Sequence, residues 1–113
     1  MKIYRGWRDR HEGGRVTVVD GDNAWPLDPR LDLMRHAPAG FGWGNTDAGA
    51  AQLALALLAD ATGDDPEAAR LHQDYKWAVV KTIRGASWEM TAESVVNWAK
   101  AHPPPKARQA KML

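Results

Sequence analysis

The stretch from Thr46 to Gly63 reads TDAGAAQLALALLADATG and contains the most apolar run of the chain. Thr46 or Asp47 can cap a helix start by accepting a first-turn amide, and a glycine after the last turn is a common helix end. We therefore predict a helix that stops at Gly63. Its leucines and alanines leave almost no polar face, which is typical of a helix in the middle of a fold. The apolar run has only about fourteen residues, whereas a membrane span needs roughly 20.

A second helix is predicted directly after the first. Asp65 as the N-cap, Pro66 at the first helical position and Glu67 in the first turn are typical of a helix start, and Gly85 follows as its end. The short link predicts an antiparallel helical hairpin. Its apolar stripe consists of Leu71, Tyr75, Ala78, Val79 and Ile83.

The first third of the chain has strand and turn patterns. Residues 2–8 alternate, so that Ile3, Arg5 and Trp7 share one face, and the β-branched run 15–19 follows a glycine turn. Residues 24–27 form a short third strand, which Pro26 confines to an edge. Residues 27–40 are an extended connector with a short strand or turn.

The last third predicts a brief extended piece at residues 88–90 and a short third helix capped by Thr91 and ended by His102. The predicted fold class is α+β, with an N-terminal antiparallel hairpin or three-stranded sheet packed on the helical hairpin and the short C-terminal helix.

Length and composition limit the classes of protein to which this chain can belong. The 113 residues predict one domain over residues 1–102, followed by a proline-rich, basic and flexible tail over 103–113. The net charge of +1 does not favour polyanions overall. The absence of cysteine excludes disulfides and thiolate zinc sites, and the N-terminus lacks the apolar run of a signal peptide. A cytoplasmic protein without membrane contact is expected.

Several side chains are candidates for a small-ligand site or an enzyme site. The glycine-rich loop over residues 40–44 precedes a helix N-terminus, which favours anions, but no Lys-Ser/Thr pair follows as in a phosphate-binding loop. In the structural interpretation, the aromatic residues of this loop pack into the core and Gln52 hydrogen-bonds the backbone of the preceding loop. Asp74 and Lys76 then belong to a solvated helix face. The ligand candidates are Arg35, His36, Trp43, Asn45, Gln52, Asp74 and Lys76.

Neither a metal site nor a cofactor is predicted. The four histidines show no i, i+4 pair that would place two imidazoles on one helix face. His36, beside Arg35 in the connector, is the histidine with the best claim to a functional role.

Six tryptophans are many for a core of this size, and tryptophan is enriched in binding hot spots. Either the core is rich in tryptophan or some indoles lie where a partner or a second copy covers them. The protein-binding candidates are Trp7, Trp25 and Trp88.

The N-terminal hairpin could also form a basic surface. Interleaved with Tyr4 and Trp7, its arginines are similar to a strand platform for phosphates and stacked bases, although alternation divides them between two faces. The nucleic-acid candidates are Arg5, Arg8, Arg10 and Arg15.

The blocks FGWG over 41–44, AQLALALLAD over 51–60 and QDYKW over 73–77, together with Tyr4-Arg5-Gly6, resemble a small family of unknown function. That family is found in bacteria, archaea and their plasmids and phages. The resemblance extends from Tyr4 to Trp98 and implies a shared fold, but no activity.

Three functions follow in order. The first is a non-catalytic protein-binding module. Because the family occurs in mobile elements, the expected form of this module is an inhibitor of a host defence complex, like the anti-CRISPR proteins. Nucleic-acid binding by the basic hairpin and a small-ligand domain or enzyme at the glycine-rich loop are the alternatives. A homodimer is compatible with the first.

Overall fold

The computed structural model of the chain describes residues 1–9, 13–38 and 40–104. Arg10 and nearly all of the predicted tail therefore lie outside the described residues. The elements are β1 (Lys2–Trp7), β2 (Arg15–Asp20), β3 (Asn23–Pro26), α1 (Ala48–Thr62), α2 (Asp65–Ala78), β4 (Ser87–Thr91) and α3 (Ala92–Lys100). A 3₁₀ turn, Val80–Thr82, follows α2. The α+β class is confirmed.

The sheet is antiparallel and has the order β3-β2-β1-β4. It has one strand more than the predicted three, because the extended piece around Trp88 pairs with β1 in the register Gly6↔Trp88. This pairing places β1 inside the sheet, with β2 on one side and β4 on the other.

Helix α1 lies at the centre of the fold, as predicted. Asp47 is its N-cap residue but makes no side-chain capping bond, and Gly63 ends it in the left-handed region at φ 66°, with its N–H donated to Ala59 O. All ten residues from Ala50 to Ala59 are buried. The helix packs against both α2 and α3.

Helix α2 differs from the prediction at both ends. Asp64, not Asp65, is its N-cap and accepts from Glu67 N at 3.1 Å. The Asp65 carboxylate instead accepts hydrogen bonds from both terminal nitrogens of Arg30, at 2.9 and 2.7 Å. The helix stops at Ala78 rather than continuing towards Gly85, because the backbone leaves the helical region at Val79.

The 3₁₀ turn that follows α2 contributes a side chain to the core. Val80 is fully buried there, and its carbonyl accepts from Gly44 N at 3.0 Å. The exposure of Ala78 shows that it does not belong to the buried stripe in which it was predicted. Helix α3 starts as predicted, with the Thr91 hydroxyl accepting from Ser94 N at 3.1 Å.

The helices cover one face of the sheet. Along β1 and β2, Tyr4, Gly6, Val16 and Val18 are buried, whereas the residues that alternate with them are half-buried or exposed. The connector contains a turn at 31–33, which is one of the two forms predicted for it. In the part of the chain described, no helix is long and apolar enough to cross a membrane.

Candidate functional site

The side of the sheet that faces away from the helices carries the half-buried and exposed side chains of β1 and β2. Register aligns its side chains in rows, with Ile3 opposite Val19, and Arg5 between Thr17 and Glu89. We call this surface the outer sheet face and define it by Ile3, Arg5, Trp7, Thr17, Val19 and Glu89.

Trp7 dominates one end of the outer sheet face. Its side chain is 51% exposed, and its sheet neighbours Arg15 and Ser87 are also exposed. In the next row Arg5 Nε donates to Glu89 Oε2 at 2.8 Å, so the two charges on this row compensate each other. Ile3 and Val19 at the other end are half-buried. The face is therefore apolar and aromatic with little net charge at its centre.

The other two protein-binding candidates do not join Trp7. Trp25 lies opposite Val18, on the helix side of the sheet, and is 41% exposed because β3 is an edge strand. Trp88 points to the helix side across Gly6 and packs edge to face on Trp43, with ring centroids 5.6 Å apart. The three indoles therefore do not form one surface.

The structure separates the arginines and aromatic residues of the basic hairpin. Tyr4, one of its two aromatic residues, is fully buried and donates its hydroxyl to Asp60 Oδ2 at 2.6 Å, whereas Trp7 is exposed opposite Arg15. Arg8 lies over the Trp43 ring at 4.8 Å and donates to Trp43 O at 3.2 Å. Arg5 is paired with Glu89. Arg15 is exposed at the rim of the outer sheet face.

The side chains and backbone of the glycine-rich loop make contacts that hold the loop to the rest of the fold. Trp43 is fully buried and donates Nε1 to Gly85 O at 3.0 Å. The Asn45 side chain accepts from Asp47 N at 3.0 Å, which fixes the turn into α1. Phe41 pairs through its backbone with Gly14, so the loop is tied to the start of β2.

Gln52 clamps the connector and is not available for a ligand. Its Oε1 accepts from the backbone N–H groups of His36 and Ala37, at 2.7 and 3.0 Å. Its Nε2 donates to Pro29 O at 2.6 Å and Met34 O at 3.0 Å. A fully buried amide with four partners satisfies its whole hydrogen-bonding capacity.

The connector also brings two histidines together. His36 Nε2 lies 3.0 Å from His72 Nε2, and His72 Nδ1 lies 2.7 Å from Ala69 O. Since Nδ1 donates to that carbonyl, Nε2 of His72 accepts from His36. Burial lowers the pKa of His72, and the neighbouring His36 and Lys76 lower it further.

His72 is not among the candidates drawn from the sequence, although the signal was available. The buried residues of α2 are Ala68, Leu71, His72 and Tyr75, which is the i, i+3, i+4, i+7 spacing of a helix face. A histidine on such a face is expected to be buried and to need a polar partner. The partner lies 36 positions earlier in the chain, and no local pattern could identify it.

Asp74 and Lys76 point to different surroundings. Asp74 lines a cavity of about 320 Å³ together with Arg70 and His102. The charge of Asp74 also helps to raise the pKa of Arg70, after the larger effect of Glu67. The ammonium group of Lys76 lies 5.7 Å from the centre of the Trp77 ring. The ligand candidates therefore do not line one common cavity.

Trp77 is also missing from the candidates drawn from the sequence, although it is 56% exposed, more than Trp7 or Trp25. Tyr75 on the buried stripe places Trp77 about 200° further round the helix, on the solvent side. Lys81 Nζ lies 4.8 Å from the centre of its ring.

Two further cavities lie elsewhere. One of about 390 Å³ lies between the start of β2 and the connector and includes Arg15, Pro26 and Phe41; another of about 420 Å³ lies between α2 and α3 and includes Leu71 and Val96. Among the described residues, no three His, Asp or Glu side chains converge as a metal site would require.

Comparison with curated proteins and with solved structures finds no match to this chain. A family comparison matches residues 4–101, which include nearly the whole sheet and all three helices. The match covers nearly the entire described chain, including β4 and α3. The chain therefore belongs to a family of unknown function, DUF6166.

Proposed function

We propose that this chain is a non-catalytic, cytoplasmic protein-binding module whose binding surface is the outer sheet face. The observation that supports it is the one-sided cover of the sheet. The helices bury the inward side chains of β1 and β2, while the other face keeps Trp7 half exposed at one end and Ile3 and Val19 half-buried at the other. Indole side chains provide much of the binding energy at protein interfaces, because they bury a large area at small entropic cost.

The area of the outer sheet face determines how strongly a partner is expected to bind. The four strands have six, six, four and five residues, and at about 3.4 Å per residue and about 4.8 Å between strands they give a surface of roughly 340 Å². Stable interfaces bury about 800 Å² on each partner. A partner that touches this face alone therefore forms a weak or transient complex, and a tighter one must reach past an edge strand.

The charges set the chemistry of the partner. Because Arg5 and Glu89 neutralise each other, the centre of the face offers no strong field to a charged ligand. The complementary surface is flat and mainly apolar. A host defence complex, a partner class associated with small proteins of mobile elements, is the finer form of this proposal.

The test compares two exposed tryptophans on different sides of the sheet. Purified chain and its Trp7→Ser and Trp25→Ser variants are cross-linked in lysate with and without nuclease treatment, and the captured proteins are identified by mass spectrometry. We expect a partner that Trp7→Ser loses and Trp25→Ser retains. Equal retention by both variants, or loss of all partners after nuclease treatment, would refute the outer sheet face as a protein-binding surface.

A further inference from the structure

The end of α2 carries a second exposed aromatic surface that differs in charge from the outer sheet face. Trp77 is 56% exposed, and the ammonium groups of Lys81 and Lys76 lie 4.8 and 5.7 Å from its ring centre. Both cations are therefore held around one indole. We call Lys76, Trp77 and Lys81 the Trp77 patch.

The charges of the Trp77 patch are not compensated by carboxylates. Within residues 1–9, 13–38 and 40–104, neither lysine makes a hydrogen bond or ion pair with an Asp or Glu. Asp74, the nearest acidic residue in the sequence, acts on Arg70. The two ammonium groups therefore give the Trp77 patch a positive charge.

We infer that the Trp77 patch binds single-stranded nucleic acid, with a base stacked on Trp77 and flanking phosphates on Lys76 and Lys81. An exposed indole beside unpaired cations is the arrangement that proteins use for single strands without sequence preference. Base stacking contributes more than an exposed cation–π contact. A base can therefore displace a lysine from the ring, and the released ammonium group moves to the adjacent phosphate.

This inference does not depend on the proposed protein partner, because it uses another element of the fold. It also moves the polyanion site away from the hairpin, where Tyr4 is buried and Arg8 is engaged with Trp43. An acidic segment without aromatic residues or an anionic membrane would use the same cations, but neither offers a ring that stacks on the indole.

The test is fluorescence anisotropy with a labelled oligothymidylate of about twenty nucleotides. With two phosphates contacted, raising salt from about 50 to about 200 mM should weaken binding about sevenfold. Trp77→Ala should weaken it about tenfold, which corresponds to a stacking contribution of about 1.4 kcal/mol. Lys81→Gln should lower the salt slope by about 0.7.

Matched controls distinguish base stacking on Trp77 from nonspecific attraction between charges. Trp25→Ala and Lys100→Gln should leave the affinity unchanged, and circular dichroism confirms that each variant is folded. Polyglutamate and phosphatidylserine vesicles serve as competing polyanions. No binding at low salt, equal affinity for polyglutamate or vesicles, or an unchanged affinity in Trp77→Ala would each overturn the inference.

Discussion

Replacing Gln52 by leucine tests whether the buried amide holds the connector to α1. Leucine keeps most of the side-chain volume but removes all four hydrogen bonds. His36 and Ala37 then lose the acceptor for their backbone N–H groups, and Pro29 and Met34 lose the donor to their carbonyls. An unsatisfied buried polar group costs about 1–3 kcal/mol.

The sum of four such costs is an upper limit, because a shift of the connector lets some of the groups reach water. We expect Gln52→Leu to lower the free energy of unfolding by about 3–5 kcal/mol. A domain of this size has a total of about 5–15 kcal/mol. The melting temperature should then fall by at least about 12 °C.

Urea denaturation followed by tryptophan fluorescence measures the loss, and hydrogen exchange locates it. The amide protons of His36 and Ala37 should exchange faster in the variant, whereas those inside α1 should change only with global stability. Gln73→Leu is the matched control, since Gln73 is exposed and contacts only His72 at 3.3 Å among the hydrogen-bonding partners in the described chain. A loss below about 1 kcal/mol for Gln52→Leu would refute the clamp.

Two further predictions concern close packing and pH. Gly6→Ala would place a Cβ about 2.1 Å from the Trp88 ring, so it should cost about 1–3 kcal/mol of stability in thermal denaturation. A Trp88→Ala background should remove most of that cost, and an equal cost in both backgrounds would contradict the packing argument. Because the folded state lowers the pKa of His72, its unfolded state binds more protons, and stability is lost as pH falls below about 6.5. The free energy of unfolding should change by at most about 1.4 kcal/mol per pH unit for one proton. Urea unfolding between about pH 7.5 and 5 measures this slope, which should be smaller in His72→Gln. An unchanged slope would assign the acid sensitivity to other groups.

The elements fixed by local chemistry were predictable from the sequence. The glycine after α1 and the hydroxyl cap of α3 act within a few residues, so the local pattern along the chain was sufficient. The cap of α2 was predicted one residue late, because Asp64 and Asp65 are both good capping residues. The ion pair of Asp65 with Arg30, made across the fold, was not visible in the sequence.

The candidate site was less predictable, since it depends on which sheet face the helices cover. Alternation showed that Arg5 and Trp7 share a face, but not that this face stays open. The inward position of Trp88 requires β4 to pair with β1 so that the indole lies across Gly6, and this pairing joins distant parts of the chain. The contact of His36 with His72 likewise joins distant parts of the chain.

The inner position of β1 has a consequence for the order in which the molecule can form during synthesis. Its neighbour β2 follows within a few residues, but β4 is made only after both long helices. Until then the β4 side of β1 is a bare hydrogen-bonding edge that can pair with other chains. A nascent or truncated chain that stops before Ser87 therefore exposes this edge, and we expect it to aggregate or to require a chaperone.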